Sequence, residues 1–358
     1  MRNRIVAGTI CRQFAAPGTP IQAVYLRVLL PKFQRRLSGH QGAPYPDDKR
    51  RILISDHLIQ CTNAVAINQT EAAIHYLEYL GAFDEESRLN AHILGPNGAP
   101  IGPRPRTALD LMPRPMMNLH VAGFFRALGS VLDCLAAVAV GVLAIPETIV
   151  TADFAKLRGW LHGTRQKAVS RHPIQAAFAS QLDNLIHAAG PPGWAEWVEA
   201  YRNMLVHRAR RTTLLLFEVD HLVLNAVGQP IPRTTCTPVL PNDPSRSDIQ
   251  AMLEDPVPML KEDGRKTMWA AFESIRYLVN GCCSFLHERW QQRKATPDML
   301  RQPHEQWREI VAPVNAFDGY ESTKLSIKVE ALMTDPSAPR RLEAAALTVE
   351  KRSLWSRG

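Results

Sequence analysis

A chain of 358 residues can bury a substantial core and hold one or two domains. With 46% hydrophobic and 21% charged residues, and with no internal repeat or low-complexity block, it has the composition of an ordinary soluble protein. A net charge of +8 permits a polyanionic partner without requiring one, and the first residues, MRNRIVAGTICRQFAAPG, lack the apolar run of a secretory signal, so cytoplasmic residence is expected.

Residues 1–115 form a proline-punctuated region that reads as mixed α/β or irregular, of unassigned role. Ile21–Leu30 fits a strand or a short helix. Ala64–Leu80 has apolar residues at helical spacing and meets Gly81, a candidate C-cap. From Gly95 to Pro115 six prolines and three glycines mark a linker, where we place the main boundary. A helical domain is expected over 116–296 and a C-terminal extension with one strand and one helix over 297–358. The helical domain opens with a long apolar helix, about Asn118–Leu143. Its stretch Ala127–Ile145 carries one charge, Asp133, and approaches transmembrane length. Arg126, Ser130 and Asp133 stand at i, i+4 and i+7, however, and that polar stripe fits a core helix with one paired edge rather than a membrane span. Short helices are expected over Ala152–Trp160 and Pro173–Ala188, and the motif helix over Trp194–Arg210. A hairpin is expected within Thr212–Val227, a further strand over Ile231–Leu240, and a closing helix over Arg265–Arg293.

The run Trp194–Arg211, WAEWVEAYRNMLVHRARR, is the most chemically loaded segment. Arg202 supplies a permanently charged planar fork of donors, and His207 an imidazole that titrates near pH ~6.5. Together they suit metal-independent phosphodiester cleavage, in which a 2′-hydroxyl loses a proton, the leaving oxygen gains one and the charge on phosphorus is stabilised. The five-residue offset turns about 140° on a helix, whereas Asn203 and His207 share a face at i and i+4. Each residue also has a plainer reading. Arg202 can pair with Glu196 or Glu199, and His207 can sit at a helix end for the macrodipole. Trp194, Trp197 and Tyr201 have ordinary core spacing.

The order Arg-Asn-x-x-x-His at Arg202, Asn203 and His207, preceded by the helix FFRALGSVLDCLA with Asp133, resembles the HEPN superfamily over about residues 115–295. That resemblance implies a mainly α fold: a bundle of four to five helices with a small β-hairpin insertion. It implies a toxin-type or anti-phage ribonuclease that acts as a homodimer, with Arg202, Asn203 and His207 catalytic in one composite cleft. Asp133 is the candidate to pair with Arg202 and fix its direction. No metal or cofactor is implied; an antitoxin or other defence-system protein would be a natural partner. Arg208, Arg210 and Arg211 follow the motif directly, and Arg165 and Lys167 lie in an acid-free stretch, so both runs are candidates for RNA phosphate contacts. The position two residues after His207 is Ala209, where one branch of the family has a tyrosine that is modified; that form of regulation is not supported. The competing reading is a non-catalytic module of the same architecture that binds RNA or a protein partner.

None of the six cysteines forms a zinc-type short pair, and buried free thiols are expected. No phosphate-cradling glycine loop, nucleophile elbow or zinc-type His-Glu-x-x-His occurs.

Overall fold

The computed structural model describes residues 49–163 (except 92, 96–98, 103, 104, 144 and 146), 173–207, 214–220, 228, 233–245 and 259–295. The expected strand and helix of the C-terminal extension, and Ile21–Leu30, lie outside these residues. The fold is mainly α with one small antiparallel hairpin, as the sequence predicts. In chain order the elements are α1 (Lys49–Leu89), α2 (Pro113–Val142), α3 (Phe154–Leu161), α4 (Pro173–Ala188), α5 (Trp194–His207), β1 (Leu214–Asp220), β2 (Arg233–Val239) and α6 (Gly264–Ala295). Backbone contacts divide the chain into two compact units. Among the described residues, one comprises Ala64–Leu132 and Gln181–Cys282, and the other 49–63, Asp133–Ser180 and 283–295.

In the first unit, aromatic rings supply most of the core. Tyr79, Phe83, Phe124, Phe125 and Tyr201 are fully or almost fully buried. Phe125 stacks on Tyr201 at 4.1 Å between centroids and meets Trp197 edge-on at 5.4 Å. Tyr76 lies 5.5 Å from Trp269 of α6 and donates its hydroxyl to the Arg265 carbonyl at 3.3 Å. Arg265 in turn is clamped by Asp263, with Nη2 2.6 Å from Oδ2, and its guanidinium covers the Phe83 ring at 4.5 Å.

Two expectations change here. Gly81 does not end α1; the helix continues to Leu89. The residues beyond it are anchored too firmly to stop. Phe83 is 2% exposed, and Glu86, at 1% exposed, is held by Arg106 Nη1 at 3.1 Å from Oε2 and by Asn90 Nδ2 at 2.8 Å from Oε1. The second change concerns the hairpin, whose two described strands do not both come from Thr212–Val227. That segment contributes β1, and its partner β2 comes from the stretch expected as a further strand, in a register from Leu214↔Val239 to Asp220↔Arg233. The Thr234 backbone N–H reaches the Ala91 carbonyl at 3.4 Å, which ties β2 to the chain just past α1.

In the second unit, Leu58 packs into the notch left by Gly141, and Phe178 meets Phe285 edge-on at 6.3 Å. Arg289 lies over both rings, at 4.9 and 5.3 Å. Ile149, Phe154, Leu157 and Trp160 are buried. The stretch Leu109–Val142 is long and apolar enough to cross a membrane, but 78% of its most apolar window is buried inside the protein. α2 is thus a core helix, enclosed on most of its circumference.

Because a Cβ at Gly81 would meet nothing within 4 Å, this glycine carries only the backbone-entropy cost of its residue type. Gly81→Ala is expected to raise stability by about 0.5–1 kcal/mol, read from the urea midpoint at unchanged slope.

Candidate functional site

The break Gly190-Pro191-Pro192-Gly193 sets the start of α5. Gly193 takes a positive φ of 81°, which costs no Cβ clash, and its carbonyl accepts the first helical bond from Trp197 at 3.0 Å. From there Trp194, Ala195, Val198, Tyr201, Met204 and Leu205 form one buried face. Two indole hydrogen bonds fix the helix in place: Trp194 Nε1 donates to the Ile186 carbonyl at 3.0 Å, and Trp197 Nε1 to the Pro241 carbonyl at 3.1 Å.

Arg202 and Asn203 flank this face and are half-buried. The side chain of Arg202 runs over Gly129 of α2. A Cβ at Gly129 would stand 2.7 Å from Arg202 Cγ and 3.2 Å from Cδ, so only glycine admits the arginine stem at this depth. One turn earlier on α2, Phe125 stacks on Tyr201. The adjacent contacts Phe125–Tyr201 and Gly129–Arg202 thereby fix the register of α5 on α2. At the end of the stem, Arg202 Nη1 donates to Asn203 Oδ1 at 3.0 Å. Asn203 thus accepts from the guanidinium and helps to orient it.

His207 is the last residue of α5, one turn after Asn203; its side chain lies outside the described residues, as do Arg208, Arg210, Arg211, Arg165 and Lys167. Asp133 of α2, expected as the orienting partner of Arg202, accepts the Phe154 backbone N–H at 3.0 Å through Oδ1. It thus serves the N-terminus of α3 beside Asp153, whose Oδ1 accepts the Lys156 N–H at 2.7 Å. An acid satisfying the orphan donors of a helix start is a favourable arrangement of charge and dipole.

Sequence reasoning missed three features of the first unit. One is Gly129, although a glycine inside a long apolar helix does signal close approach by a neighbour. A second is the buried Glu86 with Arg106 and Asn90. The third is a histidine pair, in which His75 Nδ1 lies 3.0 Å from His120 Nδ1 and His75 Nε2 lies 3.7 Å from Glu71 Oε1. His120 Nε2 is buried with no hydrogen-bond partner among the described residues. Burial, and then the neighbouring His75 ring, hold the His120 pKa below the ordinary imidazole value of 6.5.

Asp133→Ala should lower stability by about 1 kcal/mol in urea unfolding, through loss of a charged partner for the α3 start. His120 gives a pH signature whose sign follows from its depressed pKa. The unfolded chain takes up the proton first, so stability falls as pH drops through 6.5 and stops falling below the folded-state value. His120→Gln should flatten that dependence when urea midpoints are compared across it. In comparison with known proteins, the chain matches no family model, no curated protein and no solved structure.

Proposed function

We propose that this protein is a metal-independent endoribonuclease of a toxin or anti-phage defence system, built on a HEPN-like helical domain and active as a homodimer. The observation that carries the reading is the fixed guanidinium of Arg202, seated on Gly129 and oriented by Asn203. A cation whose stem and plane are both fixed is the preorganised donor that a charge building up on phosphorus requires. One turn beyond Asn203 comes His207, to which we assign taking the proton of the attacking 2′-hydroxyl or returning one to the leaving oxygen. The helix then leads into His207-Arg208-Ala209-Arg210-Arg211, a dense positive run. We assign RNA phosphate contacts to these arginines and, in another stretch of the chain, to Arg165 and Lys167. The products are a 2′,3′-cyclic phosphate and a 5′-hydroxyl.

The test is incubation of purified protein with labelled single-stranded RNA and total tRNA in the presence of EDTA. The wild type should cleave, and Arg202→Ala or His207→Ala should reduce the rate by at least about 100-fold while leaving the oligomer intact. Gly129→Ala, which leaves every proposed reacting group in place but pushes the Arg202 stem aside, should cost roughly tenfold. Undiminished cleavage in both Arg202→Ala and His207→Ala would remove this site from consideration. RNA bound with a steep salt dependence but left whole would point to a non-catalytic RNA-binding module of the same architecture.

A further inference from the structure

Where α1 meets α2 in the first unit stands a group of metal-ligating side chains that the proposed RNA chemistry does not use. His75 of α1 and His120 of α2 aim their Nδ1 atoms at each other, 3.0 Å apart, with ring centres 5.3 Å apart. The His75 ring is held on its far edge. A Cβ at Gly123 would fall 2.3 Å from its Cε1 and Nε2, and Nε2 faces Glu71 Oε1 at 3.7 Å. Two contacts fix what stands beside the pair. Glu86 meets Arg114 at 3.6 Å and, earlier on α1, His75 meets Gly123, later on α2, so the helices run antiparallel here. Counting inward from those contacts brings Glu78 of α1 level with His120. Glu78 lies one turn beyond His75 on the same face and is exposed, and among the described residues no ion pair or hydrogen bond engages it.

We propose that His75, His120 and Glu78 form a binding site for a divalent ion of the zinc class, held tetrahedrally with solvent as the fourth ligand. Zinc bonds imidazole nitrogen at about 2.0–2.1 Å. At tetrahedral angles this sets two ligating nitrogens about 3.3 Å apart and their ring centres about 5.2 Å apart. The ring centres of His75 and His120 therefore already stand at ligand separation. Each ring pivots in place by roughly 35° to turn its lone pair from its neighbour to the ion, and the two nitrogens part by about 0.3 Å. With Nδ1 on the ion, His75 carries its proton on Nε2, the nitrogen that faces Glu71. A carboxylate behind a ligating histidine fixes the ring and raises its basicity.

The donor set and its setting select the ion. Two imidazoles and one carboxylate suit a borderline ion such as Zn²⁺, whereas Mg²⁺ and Ca²⁺ take oxygen ligands. The site is open on one side. The His75 side chain is 23% exposed and that of Glu71 54%, so an ion and its solvent ligand enter from the exposed face of α1. His120, buried on α2, supplies the anchored ligand. An ion bound there would tie α1 to α2. It takes no part in the proposed cleavage, because Arg202 is seated at Gly129, more than a turn beyond Gly123.

The experiment strips the full-length protein with EDTA, removes the chelator and titrates with Co²⁺, whose tetrahedral complexes absorb intensely in the visible. Equimolar Co²⁺ should give those bands, and Zn²⁺ should bleach them by displacement. His75→Gln and His120→Gln should each weaken Zn²⁺ binding at least about 100-fold, and Glu78→Gln roughly tenfold. Glu71→Gln should also cost about tenfold yet leave the shape of the Co²⁺ bands unchanged, because Glu71 acts through His75. The wild-type spectrum and the surface variant Glu78→Gln decide the matter even if a histidine variant fails to fold. No uptake, the faint bands of octahedral Co²⁺, or tetrahedral bands and affinity that survive unchanged in Glu78→Gln or in a folded histidine variant would each overturn the proposal.

Discussion

A helix as apolar as α2 has to be surrounded by protein, and the side chains it lacks govern how closely its neighbours approach. Three glycines lie along it, and each is filled from outside. Gly123 receives the His75 ring, Gly129 the stem of Arg202 and Gly141 the end of Leu58. At each position a Cβ would fall inside 3 Å of the visiting side chain, so the helix gives up about 1 kcal/mol of propensity per glycine to gain close contact. Two of those visitors, His75 and Arg202, are polar, so the most apolar helix among the described residues also seats two polar side chains.

The most enclosed carboxylate of the first unit is met by donors on every side described. Glu86 is almost wholly enclosed, yet Arg106 and Asn90 satisfy its carboxylate. Removing Arg106 costs roughly 3–5 kcal/mol, because it takes the nearest cation from a buried charge. The His75–His120 pair is met less completely. Two ring nitrogens 3.0 Å apart can share one proton but not two, and His120 Nε2 is left unmatched.

Much of this arrangement is legible in the amino-acid order, because local chemistry and tertiary packing agree. Pro173 at a helix start and Gly190-Pro191 beyond its end bracket α4, and the Gly-Pro-Pro-Gly break opens α5. The sequence misleads where packing overrides a local signal. Gly81 is a good terminator in isolation, but Phe83 and Glu86 are buried too deeply for α1 to end before them. In the hairpin, alternating β-branched residues within Thr212–Val227 suggest a self-contained turn, whereas β1 pairs with a segment whose Thr234 is anchored beyond α1. At the candidate site, the spacing of Arg202 and Asn203 gives their places on a helix face. It does not reveal which residue of another helix makes room for the arginine, since Gly129 lies more than 70 positions earlier.

The first unit is assembled from Ala64–Leu132 and Gln181–Cys282, stretches far apart along the chain, and the hydrogen bond from Tyr76 to the Arg265 carbonyl spans 189 residues. Such an order has a kinetic consequence during synthesis. At roughly 5–20 residues per second, a ribosome needs about 10–40 seconds after Tyr76 to deliver Arg265. Throughout that interval the aromatic faces of Tyr76 and Phe124 await Trp269 and its neighbours. The nascent chain therefore presents this aromatic surface early and covers it late.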